Sequence, residues 1–204
     1  MYELFPYSMV KLLPEYDGKK FKFVHFNLSK DFVDMEKIIH NTKGRLDEVE
    51  GLKSGKYIKL VDKNSDEIVM SDTWMEKKTN KELVEKASGN ILIGGLGIGM
   101  ILLAIQKKRD VKSITVIEKY SEIINHVSSN LKFNKKVKII HEDIFKYLPE
   151  NKEKFDVIYF DIWNNICGDN YEEMKLLNKK FKKYLNKDGF IDSWRSDDCK
   201  KLTQ

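Results

Sequence analysis

The sequence predicts an α/β fold in which a parallel β-sheet is flanked by helices and preceded by a small N-terminal extension. From Asn90 onward, short apolar runs alternate with helix-like segments through five strands. This alternation is the pattern of a parallel sheet with helices on both faces. Three of the runs, ILI, ITVI and VIYF, are almost continuously apolar, as strands buried on both faces should be.

The elements of this main part follow one another without a low-complexity linker. The predicted strands are NILIG, KSITVIE, KVKIIHED, FDVIYFD and GFIDSW. The predicted helices are IGMILLAIQKK, SEIINHVSSNLKF and YEEMKLLNKKFKKYLN, and IFKYLPE is a predicted short helical turn. The β-branched residues and the lengths of the apolar runs separate the strands from the helices.

The extension has a mixed α+β pattern. DFVDMEKIIHNTKGRLDEVEG has helical spacing with Gly51 as its stop, and YIKLVDKNSDEIVMSDT predicts a β-hairpin that turns at KNSD. TNKELVEKAS predicts a further helix, capped by Thr79 or Asn80. We therefore expect an N-terminal extension over 1–70, acting as a lid or completing the sheet, and a main domain over 71–204.

Composition excludes several function classes. The chain has 204 residues, 41 % hydrophobic and 34 % charged, which suits a soluble globular protein. Its net charge of +5 comes almost entirely from Lys, which indicates solvated surface rather than an Arg-rich nucleic-acid interface. Two cysteines and four histidines at no ligand spacing predict no disulfide framework and no metal site. No signal peptide or bilayer-length apolar run is present, so we expect a cytoplasmic protein without a membrane segment.

The stretch ILIGGLGIGMILLAI contains the strongest motif. It is a strand, a glycine turn and a helix in succession, and in open α/β sheets ligands bind beyond the carboxyl ends of the strands. The glycines at Gly95, Gly97 and Gly99 form G-x-G-x-G. A dinucleotide site would need its third glycine at Met100, and a phosphate-binding P-loop would need a G-K-[ST] ending, which is absent.

This turn, with the residues that follow later strands, resembles motif I of class I S-adenosylmethionine-dependent methyltransferases, which are Rossmann-like. The resemblance covers roughly 70–195 and implies S-adenosylmethionine as the cofactor. It assigns Gly95, Gly97 and Gly99 to the cofactor's tail, Glu118 to the ribose hydroxyls, and Asp143 and Ile144 to the adenine. Ile93 departs from the pattern, because many family members carry a carboxylate at this position. An apolar residue also occurs there in the branch that resembles spermidine synthase.

Two further segments resemble small-molecule N-methyltransferases of the guanidinoacetate methyltransferase type. These are VMSDTWMEKKTN, before the glycine turn, and IYFDIWNN, at the end of the fourth strand. The resemblance implies Asp161 and Asp72 as catalytic carboxylates. The candidate substrate-binding residues are Trp74, Glu76, Trp163, Asn164 and Trp194. Aromatic faces beside carboxylates suit a cation; the alternative interpretation is that the tryptophans are core or face the donor's own sulfonium.

The favoured hypothesis is methyl transfer to a small amine- or guanidino-containing acceptor. Aminopropyl transfer, as in spermidine synthases, is the alternative; those enzymes usually carry an Asp within the glycine turn, where this chain has Ile98, and D-x-x-D after the fourth strand, where it has Asn164. A nucleic-acid methyltransferase is disfavoured because [DNS]-P-P-[YFW] is absent. A non-catalytic binding protein of the same fold stays open.

The family's sheet normally has seven strands, so we expect a C-terminally shortened sheet with an open edge. Either the N-terminal strands complete it or a second subunit covers it, because an uncovered edge strand favours association. A homodimer through this edge is therefore one expectation. The acceptor and the oligomeric state do not follow from the sequence.

Overall fold

A computed structural model of the chain describes residues 3–150 and 153–203 and contains two β-sheets. The larger sheet is five-stranded and parallel, with strand order β7-β6-β5-β8-β9. Its strands are β5 (Gly89–Gly94), β6 (Val111–Glu118), β7 (Val137–His141), β8 (Phe155–Phe160) and β9 (Leu185–Ser193). The five predicted strands are therefore confirmed, and the fold is the Rossmann-like α/β class.

Helices cover both faces of the parallel sheet, and the chain alternates strand and helix as predicted. They are α3 (Trp74–Thr79), α4 (Lys81–Lys86), α5 (Met100–Ile105), α6 (Ser121–Asn130), α7 (Gly168–Phe181) and α8 (Ser196–Lys201). The segment predicted as a helical turn after β7 is a hydrogen-bonded turn instead, in which Lys146 and Tyr147 donate their N–H groups to the Asp143 carbonyl. Pro149 follows this turn and cannot continue a helix.

The N-terminal extension forms a separate antiparallel sheet of four strands. In order across the sheet these are β1 (Tyr16–Asp17), β2 (Phe21–Leu28), β3 (Gly55–Asp62) and β4 (Ile68–Ser71), with α1 (Met9–Leu12) and α2 (Lys30–Thr42) as its helices. The predicted hairpin is the β3–β4 pair. Because the extension builds its own sheet, its strands do not complete the parallel sheet.

The helix predicted to run to Gly51 ends earlier. Ser29 caps α2 by accepting the Phe32 N–H at 3.1 Å. The helix stops at Thr42, two residues before Gly44, which adopts a left-handed φ of 67°. A glycine in this conformation commonly closes a helix. A short 3-10 turn over Leu46–Glu48 replaces the last predicted turn.

One continuous apolar core joins the two sheets. Phe23, Ile58 and Leu60 of the antiparallel sheet share it with Ile91 and Ile93 of the central parallel strand, all nearly inaccessible to solvent. The antiparallel sheet therefore packs over one end of the parallel sheet and forms a roof, defined here as β1 to β4. Within residues 3–150 and 153–203, no helix combines the length and the apolar composition needed to cross a bilayer.

One end of the roof is clamped to α6. The Glu122 carboxylate accepts the backbone N–H groups of Lys19, Lys20 and Phe21 at 2.9, 3.1 and 2.5 Å. Three hydrogen bonds to one charged acceptor are each stronger than a neutral hydrogen bond. The His126 ring adds apolar contact, with its centroid 4.7 Å from that of Tyr16.

Candidate functional site

The glycine turn lies between β5 and α5, and its glycines are required for different structural reasons. Gly95 has φ 100°, and a Cβ there would lie 2.1 Å from the Asp161 carbonyl oxygen. Gly97 has φ 53°, and a Cβ there would lie 2.0 Å from the Met70 sulfur. Both positions therefore need glycine for conformation and for space. Gly99 caps α5 with φ 73° and faces Leu131 of the adjoining segment instead.

A cavity of about 320 Å³ opens beside this turn, at the carboxyl ends of the parallel strands. The roof contributes apolar walls from Phe21, Leu60, Val69 and Met70. Seven of the predicted site residues line the cavity: Gly95, Gly97, Glu118, Asp143, Ile144, Asp161 and Trp163. Gly99, Asp72, Trp74, Glu76, Asn164 and Trp194 do not line it.

Glu118 ends β6 as a buried carboxylate held by the backbone. Its Oε2 accepts the Leu96 N–H at 2.9 Å and its Oε1 accepts the Tyr120 N–H at 2.8 Å. Burial raises the pKa of Glu118, and these N–H groups oppose that rise by stabilising the charged form. The N–H groups of Lys119 and Gly97 also lower its pKa, and the carboxylate lines the cavity. The side chain is therefore a fixed acceptor at the cavity wall.

Asp143 lies at the rim in an ion pair. Its Oδ2 is 3.0 Å from the Lys119 ammonium, and its Oδ1 accepts the Phe145 N–H at 3.0 Å. Burial alone would raise the pKa of Asp143, but Lys119 and the Phe145 N–H outweigh it and lower the pKa. Asp143 thus stays ionised and holds its loop, while Ile144 and Phe145 present apolar surface to the cavity.

Asp161 follows β8 directly and lies against the glycine turn, because its N–H donates to the Gly94 carbonyl at 2.8 Å. Burial raises the pKa of this carboxyl to about 7. Burial and the Asp161 charge together raise the pKa of Glu76 well above its usual range. The charge of Asp161 thus disfavours ionisation of Glu76, so both carboxyl groups are not readily ionised near neutral pH.

The Ser71 N–H, the Asn80 amide and the positive charge of Arg195 oppose the rise in the pKa of Glu76. Asn80 donates its side-chain amide to Glu76 Oε1 at 3.0 Å. Its buried carbonyl oxygen has no hydrogen-bond partner within the described part of the chain. Burial, followed by the charges of Asp161 and Asp192, raises the pKa of the nearby Tyr159 phenol. A group rich in N–H donors and carrying positive charge is what these carboxylates can stabilise.

The other predicted residues have positions of their own. Asp72 is 2 % exposed and accepts the Ile58 N–H at 2.8 Å inside the roof. Trp74 packs with the cluster of Val33, Val49 and Leu52 at the back of the roof. Trp194 donates its indole N–H to Thr79 Oγ1 at 3.0 Å. None of these three side chains reaches the cavity wall.

The loop after β8 is bonded on both sides of the cavity mouth. Trp163 donates its indole N–H to Glu173 of α7 at 2.7 Å, and both residues line the cavity. Asn164 donates its amide to Glu67 of the β3–β4 hairpin at 2.7 Å. The hairpin therefore reaches across the mouth and touches the parallel-sheet domain there.

Met70 and Glu173 are two of the cavity residues that were not anticipated from the sequence. Met70 lies over the glycine turn and its sulfur accepts the Ile98 N–H at 3.2 Å. Glu173 belongs to α7, a Lys-rich helix whose charged residues the sequence indicates to be solvent-exposed. Met70 belongs to the alternating apolar segment IVMS of the hairpin. Such an alternation indicates that the side chain faces the protein interior, but it does not identify the residues that the side chain contacts.

The cavity offers three kinds of surface to a ligand. Glu118 offers acceptors for hydroxyls, Ile144 and Phe145 offer apolar surface for a ring, and glycines give the backbone close access to a chain. No group of three or more His, Cys, Asp or Glu side chains in the described ranges is arranged to hold a metal ion.

A family model for the spermine/spermidine synthase domain matches residues 80–199, which is more than half of the chain. The chain belongs to this family. The matched range begins at Asn80 and includes the glycine turn, Glu118, Asp143 and Asp161, so it contains most of the cavity's polar residues.

Individual relatives match shorter parts. A polyamine aminopropyltransferase from Sulfurisphaera tokodaii is 30 % identical over 105 residues, covering 44 % of this chain and 35 % of that protein. A protein from Mycoplasma mobile described as an uncharacterized RNA methyltransferase is 40 % identical over 74 residues, covering 35 % of this chain and 20 % of that protein. A spermidine synthase structure from Thermotoga maritima matches with a TM-score of 0.46 and 16 % identity, covering 72 % of this chain and 56 % of that one.

The chain thus spans about a third or less of the length of the two curated relatives. These comparisons support a transferase assignment in coarse form, with methyl and aminopropyl groups both represented among the relatives.

Proposed function

We propose that the protein is an S-adenosylmethionine-dependent methyltransferase whose acceptor is a small molecule with an amine or guanidino nitrogen. Asp161 carries this proposal: it lines the cavity beside the glycine turn, and its charge raises the pKa of the buried Glu76 carboxyl. A cationic acceptor would relieve the repulsion between the two carboxylates. A carboxylate with a pKa of about 7 can also take a proton from an incoming nitrogen at neutral pH.

S-adenosylmethionine would supply a methyl carbon made electrophilic by its sulfonium. Glu118 would accept the ribose hydroxyls, and Ile144 and Phe145 would contact the adenine ring. Asp161 would accept an N–H of the acceptor and orient the nitrogen lone pair along the line of displacement. Positioning of this kind supplies much of the rate enhancement in group transfer.

The two structural parts would divide the work. The extension over 1–70 would act as a roof that keeps water out of the reaction zone, through Phe21, Leu60 and Val69. The domain over 71–204 would hold both ligands. Asp72, first considered as a catalytic carboxylate, would then serve to hold the roof together, because it accepts a β3 backbone N–H rather than facing the cavity.

Aminopropyl transfer is the second candidate, because the family match and the charge of the cavity favour it. Glu118, Asp143, Asp161 and Glu173 line the cavity, and the lining cation Lys119 is paired with Asp143. An anionic lining suits a decarboxylated donor whose tail ends in an amine. Ile98 and Asn164, which stand where aminopropyltransferases usually carry Asp, favour methyl transfer.

Calorimetry with S-adenosylmethionine and its decarboxylated form, side by side, tests the proposal. We expect tighter binding of S-adenosylmethionine, together with methylated product from an amine panel followed by mass spectrometry. Tighter binding of the decarboxylated form with aminopropylated product would replace the first candidate by the second. Binding of neither donor would reject both candidates.

A further inference from the structure

Met70 occupies the surface of the glycine turn. Its sulfur accepts the Ile98 N–H at 3.2 Å and lies where a side chain on Gly97 would have to go. Met70 also lines the cavity, so its thioether stands between the cavity and the turn's backbone. The open space beside Gly97 is therefore filled by a side chain of the roof.

This contact is weak in chemical terms. A thioether sulfur is a poor hydrogen-bond acceptor, whereas a carboxylate oxygen forms a short, charge-assisted bond to an N–H. Methionine is also unbranched and flexible, so it can leave one site and fill another at small cost. A ligand carboxylate would therefore compete well for the Ile98 N–H.

The strand that carries Met70 is attached more loosely than the opposite end of the roof. β4 has four residues and lies at the edge of its sheet, and its pairing with β3 has a register shift at Leu60 and Val61. Its hairpin touches the main domain through the exposed Glu67–Asn164 contact and through Met70, while Val69 packs against the core and the Ser71 N–H bonds to Glu76. The Glu122 clamp holds the β1–β2 end by three backbone hydrogen bonds.

We propose that Met70 is a displaceable plug that selects the donor: a donor carboxylate takes the Ile98 N–H from the Met70 sulfur, and β4 lifts from the turn. This inference rests on the proposed function and adds a selecting residue to it. A donor without a carboxylate has nothing to exchange for this N–H and leaves the plug in place. In the free protein only a fraction of the molecules have the plug open. The measured affinity for the donor is therefore lower than the affinity of the open state by that fraction.

Calorimetry on four proteins tests the plug: wild type, Met70→Ala, Met70→Leu and, as a methionine control away from the cavity, Met35→Ala. Met35 is 49 % exposed on α2. We expect Met70→Ala to bind S-adenosylmethionine about tenfold tighter and the decarboxylated donor less than threefold tighter. Met70→Leu, which keeps the bulk without the acceptor, should fall between wild type and Met70→Ala, and Met35→Ala should match wild type.

Equal or weaker S-adenosylmethionine binding by Met70→Ala would overturn the plug and make Met70 an ordinary wall residue. An equal gain for both donors would overturn the assignment of the Ile98 N–H to the carboxylate, and with it the proposal. If wild type binds S-adenosylmethionine and the Met70 substitutions leave the affinity unchanged, the plug is rejected while the proposed function stands. Binding of neither donor by any of the four proteins would reject the proposed function as well.

A second readout is measured on wild type and needs a variant only for the assignment of one signal. In wild type labelled at its methionine methyl groups, the Met70 signal is assigned by its loss in Met70→Leu. Adding S-adenosylmethionine should move this signal far more than that of Met35. An unmoved Met70 signal in a protein that binds the donor would show that the plug stays in place, against the proposal.

Discussion

Glu118 and Asp161 are carboxylates at the ends of two parallel strands that flank the same strand, yet their surroundings differ. Glu118 receives two backbone N–H bonds that stabilise its charge. Asp161 is desolvated beside a second carboxyl group, and burial raises its pKa to about 7. Burial raises the pKa of both carboxyl groups, but backbone N–H groups oppose the rise at Glu118, whereas no such donor among the residues that the structure describes opposes it at Asp161.

Replacing Asp161 should have the largest effect. We expect Asp161→Asn to lower kcat by about 10²- to 10⁴-fold, because the acceptor of the substrate proton is lost. Donor affinity should change less than threefold, since Asp161 is assigned to the acceptor. Steady-state kinetics and donor calorimetry measure the two effects. Retention of wild-type turnover would remove Asp161 from the mechanism.

Glu118→Gln should have the opposite effect: a large loss of donor affinity and a small change in turnover. One backbone N–H then faces an amide NH₂ instead of an oxygen, and the charged acceptor is lost. We expect donor affinity to fall by about 10- to 100-fold, which corresponds to one or two charge-assisted hydrogen bonds. Turnover at saturating donor should stay within about threefold of wild type. If turnover collapses instead while binding persists, Glu118 and Asp161 do not differ in role as we propose.

The pH dependence of stability should test the raised pKa of Asp161 directly. Because the folded pKa of Asp161 exceeds the usual value of 3.8, the folded state binds the extra proton between about pH 4 and 7. Its contribution to stability is complete below pH 4 and is lost as pH rises through 7. We expect Asp161→Asn to raise Tm by a few degrees at pH 8 and to leave it unchanged at pH 4.

Thermal melts of wild type and Asp161→Asn across this range make the comparison, and Asp143→Asn is its control. The pKa of Asp143 is lowered, so the sign reverses and that substitution should destabilise the protein above pH 4. A Tm difference for Asp161→Asn that is constant with pH would show that Asp161 titrates normally.

The smallest effect is expected at the cavity mouth. Glu67→Ala removes the exposed bond to Asn164 and frees the hairpin tip. An exposed hydrogen bond to a charged group contributes about 1 kcal/mol or less. Stopped-flow measurements should show donor association faster by about two- to threefold, with little change in kcat. A slower association would mean that the contact guides the donor rather than restraining the hairpin.

The parallel sheet was predictable because each buried strand is a local apolar run, and each cavity carboxylate at a strand end follows such a run directly. The contacts of the roof were not predictable in this way. Met70 with Ile98 and Glu67 with Asn164 join residues far apart in sequence, and periodicity shows only that a side chain points inward. Glu76 was identified as a site residue, but its coupling to Asp161 depends on how α3 is packed.

The segment before the glycine turn illustrates the limit more sharply. Asp72, Trp74 and Glu76 were predicted to face the ligands together. α3 begins at Trp74, so Asp72 lies ahead of the helix and turns into the roof, and Trp74 turns toward Val33. Helical geometry brings only one of the three toward Asp161. A linear motif cannot show this, because neighbours on a helix point in different directions.

The Glu122 clamp can form only after a long stretch of the chain has been synthesised. The β1–β2 turn leaves the ribosome about a hundred residues before the carboxylate that anchors it. At about 5 to 20 residues per second this delay is about 5 to 20 s. During that time Phe21 and Phe23 lack the surface that buries them in the finished protein. The nascent roof is thus exposed to chaperones and to aggregation until the helix that carries Glu122 has been made.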